Sequence, residues 1–405
     1  MLSHNLILMG GIVIINSVLL ILNASNNVFD NIMPHKKNVY LPLIIVVIIA
    51  ICAIAGCIGT SQPTIGPGTT FTDLAGNNVT LPSSVDRVII TSMSPMVPIY
   101  VYYMDGTDKL VGANSAGITY AKSGVMSTIY PELDSVETGF VQGTVINIEE
   151  ILRLDPDVVI YTGSRQDEYA LLTDANLTAV GFTTSLGATG YNVFTQLDLW
   201  LNQLGKIVGD TDKADDLIAY NSEVQKKVAE KINTVTDDEK PRALIIFTYK
   251  EGTLQVAGSG HYSEYWLNAT GAENVAAELS GLKPVDMEQI IAWDPEIIYF
   301  ANSQNALPSD LYNNTIPGYD WSQVTAVKNK QVYIFPYATY MSYAPSLEDG
   351  LVLQWMAQIN HPDLFKDLDM EEETSYFFKE FFNYTATDED IKGFLNPEYI
   401  AVRLH

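Results

Sequence analysis

Cysteine is almost missing from this 405-residue chain: Cys52 and Cys57 stand near the N-terminus, and none comes after them. Residues 58–405 therefore hold no disulfide framework, no cysteine metal cluster and no thiol nucleophile. Basic residues are scarce, with 22 Lys and Arg against 48 Asp and Glu, a net charge of −26. A nucleic-acid binder needs a basic face to neutralise phosphates, so that class is excluded. Broad adsorption to an anionic lipid surface is disfavoured for the same reason. Histidine is limited to His4, His35, His261, His361 and His405. A site for naked Zn²⁺ or Mn²⁺ needs several imidazoles and carboxylates converging on one ion, and no His-rich loop supplies them. Enzyme signatures are missing as well: there is no Gly-x-Ser-x-Gly elbow, no His-Glu-x-x-His and no P-loop. What remains is a chain 47% hydrophobic and 17% charged, long enough for two or three domains with sizeable cores.

Two apolar runs open the sequence, at 6–22 and 41–56, with Met33-Pro34-His35-Lys36-Lys37 between them. From Met33 the order is a basic start, an apolar core and small residues, which is the layout of a secretory signal. Ile54-Ala55-Gly56 directly before Cys57 resembles the lipobox of lipoproteins, in which the Cys thiol takes a diacylglycerol. The competing reading is a plain membrane anchor, although the run is short for a span. Residues 1–32 read as an upstream over-extension or an extra membrane helix, 33–57 as a signal with lipobox. The stretch 58–70, rich in Gly, Pro, Ser and Thr, reads as a flexible tether. Asn-x-Ser/Thr sequons at Asn78, Asn176, Asn268, Asn313 and Asn383 agree with export and add little to it.

From residue 85 short β-rich runs alternate with amphipathic ones, which predicts an α/β fold. Strands are expected at 87–91, 109–112, 157–161, 242–248, 296–300 and 331–335. An internal repeat organises them. Ile148 to Tyr161 reads IEEILRLDPDVVIY, and Met287 to Phe300 reads MEQIIAWDPEIIYF, an offset of 139. Each copy has apolar residues at helical spacing, a stop at Asp-Pro, and then four apolar residues that predict a buried parallel strand. The run beginning at Arg87 is likewise echoed at Arg242. Two similar α/β lobes result, 71–195 and 240–405. Between them, 194–235 reads as one long helix, with Leu217, Ile218, Val224, Val228 and Ile232 forming an apolar stripe. The corresponding linker spans 196–239.

At this point the chain resembles substrate-binding lipoproteins of ABC importers, in the helical-backbone class that carries iron chelates, haem and cobalamin. The resemblance covers residues 71–395. It rests on 147–161, 209–219, 258–276, 320–336 and 361–382. It implies two lobes joined by a long helix, a ligand cleft between them at the strand tips, no chemistry and no cofactor. It also implies a monomer working with a permease and ATPase complex, held at the membrane by a lipid or an N-terminal anchor. In such proteins one exposed Glu per lobe docks on the permease, and Glu149 and Glu288 match those positions. As residues they are also ordinary first-turn helix acids.

Cleft loops are expected after each strand tip. These nominate Met93 and Ser94 in the first lobe, and Arg165, one of only five arginines, after a Gly-Ser turn. A guanidinium there clamps a carboxylate or an anionic chelate; the bland alternative is an ion pair with Asp167 or Glu168. In the second lobe His261 and Tyr262 lie in a Gly-rich loop ahead of a helix. Tyr337, Tyr340 and Tyr343 offer flat faces with polar tips for stacking on a chelate, or plain core packing. The expected function is capture of a ferric siderophore-like chelate, then a corrinoid, then haem. An extracellular hydrolase using His261 with a nearby acid is the reading from another class, and nothing marks its carboxylates.

Overall fold

A computed structural model describes residues 68–143, 145–184, 191–250, 252–301 and 306–397. Cys57, the signal segment and most of the tether lie outside them. All the described residues belong to the compact unit Ile65–His405.

The first sheet has four strands, β1 (Val88–Ile90), β2 (Leu110–Ala113), β3 (Val158–Thr162) and β4 (Ala179–Phe182). Their order is β2-β1-β3-β4 and every pairing is parallel. β1 and β4 are fully buried and β3 nearly so, which is why they read as unbroken apolar runs. The second sheet holds β5 (Arg242–Lys250), β6 (Thr253–Ala257), β7 (Glu273–Asn274), β8 (Leu282–Val285), β9 (Ile297–Phe300) and β10 (Val332–Ile334). Its order is β8-β6-β5-β9-β10, with β7 beside β5. The β5-β9-β10 core is parallel, while β6 and β8 add an antiparallel edge. Each predicted strand is present, shifted by a residue or two at its ends.

The helices that flank the sheets and position the site are α1 (Met96–Met104), α2 (Ser115–Lys122), α3 (Ile148–Arg153), α4 (Gln166–Asp174), α5 (Val193–Val208), α6 (Asp212–Ile232), α7 (Glu264–Ala269), α8 (Met287–Trp293), α9 (Asp349–Asn360), α10 (Met370–Phe382) and α11 (Asp388–Leu395). The segment expected as one helix over 194–235 is two. Gly209 ends α5 at φ 81°, a left-handed cap that glycine takes without steric cost. The 21-residue α6 then connects the two sheets and buries Ala214, Leu217, Asn221, Val224 and Val228 on one stripe.

The 139-residue repeat extends to individual hydrogen bonds. Asn147 Oδ1 caps α3 by accepting from Glu149 N at 3.1 Å, and Asp286 Oδ1 caps α8 by accepting from Gln289 N at 2.9 Å. Both helices end at an aspartate in the left-handed region, Asp155 at φ 47° and Asp294 at φ 40°. The next residue, proline, disfavours helical backbone there, and Asp tolerates the alternative. Arg87 Nη2 donates to the Leu154 carbonyl at 2.6 Å, and Arg242 Nη2 donates to the Trp293 carbonyl. Asp157 Oδ2 accepts from Arg87 N, and Glu296 Oε2 from Arg242 N, each at 2.9 Å. In both lobes, then, one arginine at the foot of the central strand satisfies the helix carbonyls that no later turn can reach.

Candidate functional site

In parallel sheets all strand ends of one sense lie on one edge. In the first lobe, Ser92, Met93 and Ser94 come after β1, Asn114 after β2, and Ser164 and Arg165 after β3. Hydrogen bonds knit this edge. Ser92 Oγ accepts from Thr162 N at 2.9 Å and donates to Glu168 Oε1 at 3.1 Å. Ser94 Oγ donates to Asn114 Oδ1 at 2.8 Å, and the same oxygen accepts from Gly117 N at the start of α2. Met93 is buried, and its Sδ accepts from Thr162 Oγ1 at 3.7 Å, so it fills the floor of the edge.

Arg165 stands at the start of α4 with its side chain partly exposed. Its Nε lies 3.1 Å from Oε2 of Glu168, whose side chain is only 2% exposed. The other oxygen, Oε1, also takes the Thr91 hydroxyl. The ion pair expected as the bland alternative for Arg165 is therefore present, with Glu168 and not Asp167. A buried acid fixes the guanidinium stem at the rim of the edge.

In the second lobe the strand-tip loops build an aromatic wall. The His261 ring lies 4.2 Å from Tyr262 and 5.0 Å from Phe247. Tyr262 stacks with Tyr343 at 6.1 Å and meets Tyr191 edge-on at 6.0 Å. His261 Nδ1 accepts from Ser263 N at 3.3 Å and sits 2.6 Å from its hydroxyl. Burial pulls the imidazole down to about 4, so the ring is neutral at physiological pH. Burial also pushes the Tyr262, Tyr337 and Tyr340 phenols well above their ordinary range. The wall is therefore uncharged, and its hydroxyls are phenols rather than phenolates.

Loop 337–343 is shaped from beneath by Glu348, which is fully buried. Its oxygens accept from Ala338 N at 3.1 Å, Thr339 N at 2.9 Å, Thr339 Oγ1 at 2.5 Å and Ser342 Oγ at 2.8 Å. This loop is also where the lobes touch. Tyr337 donates its hydroxyl to the Tyr120 carbonyl at 2.7 Å, Tyr340 meets the Tyr120 ring edge-on at 5.3 Å, and Val125 N donates to the Ala338 carbonyl at 3.0 Å. Tyr120 belongs to α2, which follows β2, so these contacts join the first lobe to the loop that follows β10. The structure places Met93, Ser94 and Arg165 after the strands of the first lobe, and brings His261 and Tyr262 against Tyr343 of loop 337–343, which also carries Tyr337 and Tyr340. The hydroxyls of Tyr337 and Tyr343 are engaged internally, the latter with Met341 Sδ at 3.2 Å.

Comparison with known proteins fits this geometry. The periplasmic binding protein family matches residues 106–339, more than half of the chain. The chain belongs to the periplasmic binding protein family. Among curated relatives, the molybdate-binding protein MolA of Haemophilus influenzae is 25% identical over 338 residues, 77% of this chain and 90% of MolA. An uncharacterised ABC transporter substrate-binding lipoprotein of Bacillus subtilis, YvrC, is 24% identical over 74% of this chain and 87% of its own. Among solved structures, a periplasmic solute-binding protein from Veillonella parvula superposes with a TM-score of 0.74 at 28% identity, covering 83% of this chain and 98% of that one. Members of the family are binding proteins of ABC transporters rather than enzymes, so this protein is an extracytoplasmic solute receptor for an ABC importer. Among the described residues, no helix is long and apolar enough to cross a membrane.

Several of the binding protein's edge residues escape a reading of the sequence alone. Tyr120 and Tyr191 sit beyond the nominated loops, and Phe247 lies within a strand. Glu168 and Glu348 look like ordinary surface acids in sequence; only burial distinguishes them. Glu149 and Glu288 are both exposed in the first turns of α3 and α8, with no ion pair among the described residues. His361 is buried, with Nε2 3.0 Å from the Gly271 carbonyl, in keeping with a structural role.

Proposed function

We propose that this receptor captures an anionic ferric chelate of siderophore type between lobes 71–195 and 240–405 and delivers it to its permease. Two observations support the reading: a guanidinium held at the rim of one strand edge by a buried acid in the first lobe, and a wall of aromatic rings in the second. A guanidinium presents N–H donors in a fork that suits the oxygens of an anionic ligand, with Glu168 balancing its charge until the ligand arrives. Aromatic faces suit a large, partly apolar ligand. Arg165 and Ser94 contact the anionic part, with His261, Tyr262 and Tyr340 against the chelate's flat faces and Met93, Tyr337 and Tyr343 backing them. A corrinoid or haem serves the same role less well, because both are less anionic.

One finding favours a second reading. The relative MolA binds molybdate, and a small oxyanion would use Arg165 with the Ser92 and Ser94 hydroxyls and leave the aromatic wall idle. Glu149 and Glu288 dock the loaded receptor on the permease, and a lipid on Cys57 keeps it at the membrane. The test is a titration of residues 58–405 with ferric tricatecholate and trihydroxamate chelates, cobalamin, haem and molybdate, read by Trp and Tyr fluorescence. Saturable quenching by a ferric chelate alone supports the proposal. Binding of molybdate with no response to any chelate replaces it.

A further inference from the structure

Large apolar side chains left in solvent need a reason when they recur in a pattern. Leu152 on α3 is 47% exposed and Ile291 on α8 is 45% exposed. They occupy the same position of the 139-residue repeat. Leu152 lies three residues after Glu149, and Ile291 three residues after Glu288. Residues at that spacing are neighbours on a helix surface. The core needs neither side chain, because the adjacent Ile151 and Ile290 are fully buried and fill that role in both lobes. A position upstream repeats too: Val145 is 67% exposed and Pro284, at the matching place, is exposed as well. Single exposed leucines are ordinary. The same departure from polar patterning in both halves, beside the same exposed carboxylate, is not.

We infer that Leu152 and Ile291 are a matched pair of apolar contact points through which this receptor docks on the membrane permease; the inference rests on the receptor reading above. A duplicated face fits a partner whose two halves are alike and related by a two-fold axis. Each half must offer a basic group to the glutamate and an apolar recess to its neighbour. A permease built from two like membrane subunits has that form. The lipid surface itself does not fit, because a chain of net charge −26 is repelled by it. The apolar pair supplies contact that salt does not screen, and the carboxylates supply orientation.

The test measures binding of the full receptor to its permease–ATPase complex in nanodiscs, with Leu152→Ser, Ile291→Ser, the double variant, and Glu149→Arg with Glu288→Arg as comparator. Each single apolar variant is expected to weaken binding by about 3- to 10-fold, and the double by more than about 20-fold. The loss persists near 1 M salt, where the screening length is about 3 Å. Thermal stability and ligand titration of the isolated receptor stay unchanged, which separates lost docking from lost folding. If the double apolar variant binds within about twofold of the parent while the charge reversal abolishes binding, this inference falls and the docking glutamates stand. If neither change moves binding, the docking reading fails with it. A loss confined to one of the two single variants overturns the matched-pair geometry.

Discussion

Gly124 lies at a contact between the lobes. A Cβ added there would sit 1.9 Å from the Ala338 carbonyl oxygen and 2.8 Å from its carbon. Both are backbone atoms, so no side-chain rotation relieves the clash. Gly124→Ala must push loop 337–343 away from the turn after α2. The shift breaks the Val125 N to Ala338 bond at 3.0 Å and strains the Tyr337 to Tyr120 bond at 2.7 Å. Each such bond contributes about 1 kcal/mol, and overpacking adds about 1–3 kcal/mol. The expected cost is therefore about 2–5 kcal/mol, expressed as loosened contact between the lobes rather than global unfolding. Urea denaturation gives the stability, hydrogen exchange at the Val125 amide reports the broken bond, and small-angle scattering reports lobe separation. A variant with parental stability and an undiminished Val125 protection factor would refute the reasoning.

Arg87→Ala and Arg242→Ala should each cost about 1–3 kcal/mol in urea titrations, because each uncovers helix-end carbonyls; a cost in only one lobe would deny their equivalence. Burial raises Asp198 to about 6, so the folded state holds its proton more tightly than the unfolded chain. That contribution is present below about pH 4 and is lost as pH rises through about 6, so Asp198→Asn should stabilise the protein at about pH 7 and not at about pH 4, as paired urea titrations at the two values would show. His261 has the opposite sign. Its folded value near 4 lies below the unfolded one, so its contribution is present above about pH 6.5 and falls away toward about pH 4. Replacing it with Phe should flatten that acid limb of the stability profile.

Legibility in the sequence tracks what each feature depends on. The helix-stop-strand repeat is readable because Asp-Pro and four apolar residues act locally, whatever the rest of the chain does. The connector is half readable. Its apolar stripe marks α6, but Gly209 as the break that ends α5 is one glycine among 27 until its backbone is seen. In the first lobe the strand-tip loops are identifiable as neighbours because a parallel sheet collects its strand ends; in the second, the His261 loop follows antiparallel β6, and only the ring contacts show it beside Tyr343. What the sequence hides depends on burial. Glu168 and Glu348 matter because they are enclosed, and Tyr120, Tyr191 and Phe247 because of which surfaces they meet. No local pattern encodes either property. The exposed pair Leu152 and Ile291 sits inside the repeat, yet only solvent exposure distinguishes them from core residues.

An anionic ligand gripped between the lobes, as proposed, has Arg165 as its polar anchor. The most direct measurement is a paired titration of the parent and Arg165→Ala with a ferric tricatecholate, following fluorescence quenching at fixed ionic strength. One-to-one saturable binding is expected in the parent, weakened by about 1–3 kcal/mol in the variant, with the titration run well below the variant's melting temperature because Arg165→Ala also leaves the buried Glu168 carboxylate without its cation. Equal affinity in both proteins would contradict it.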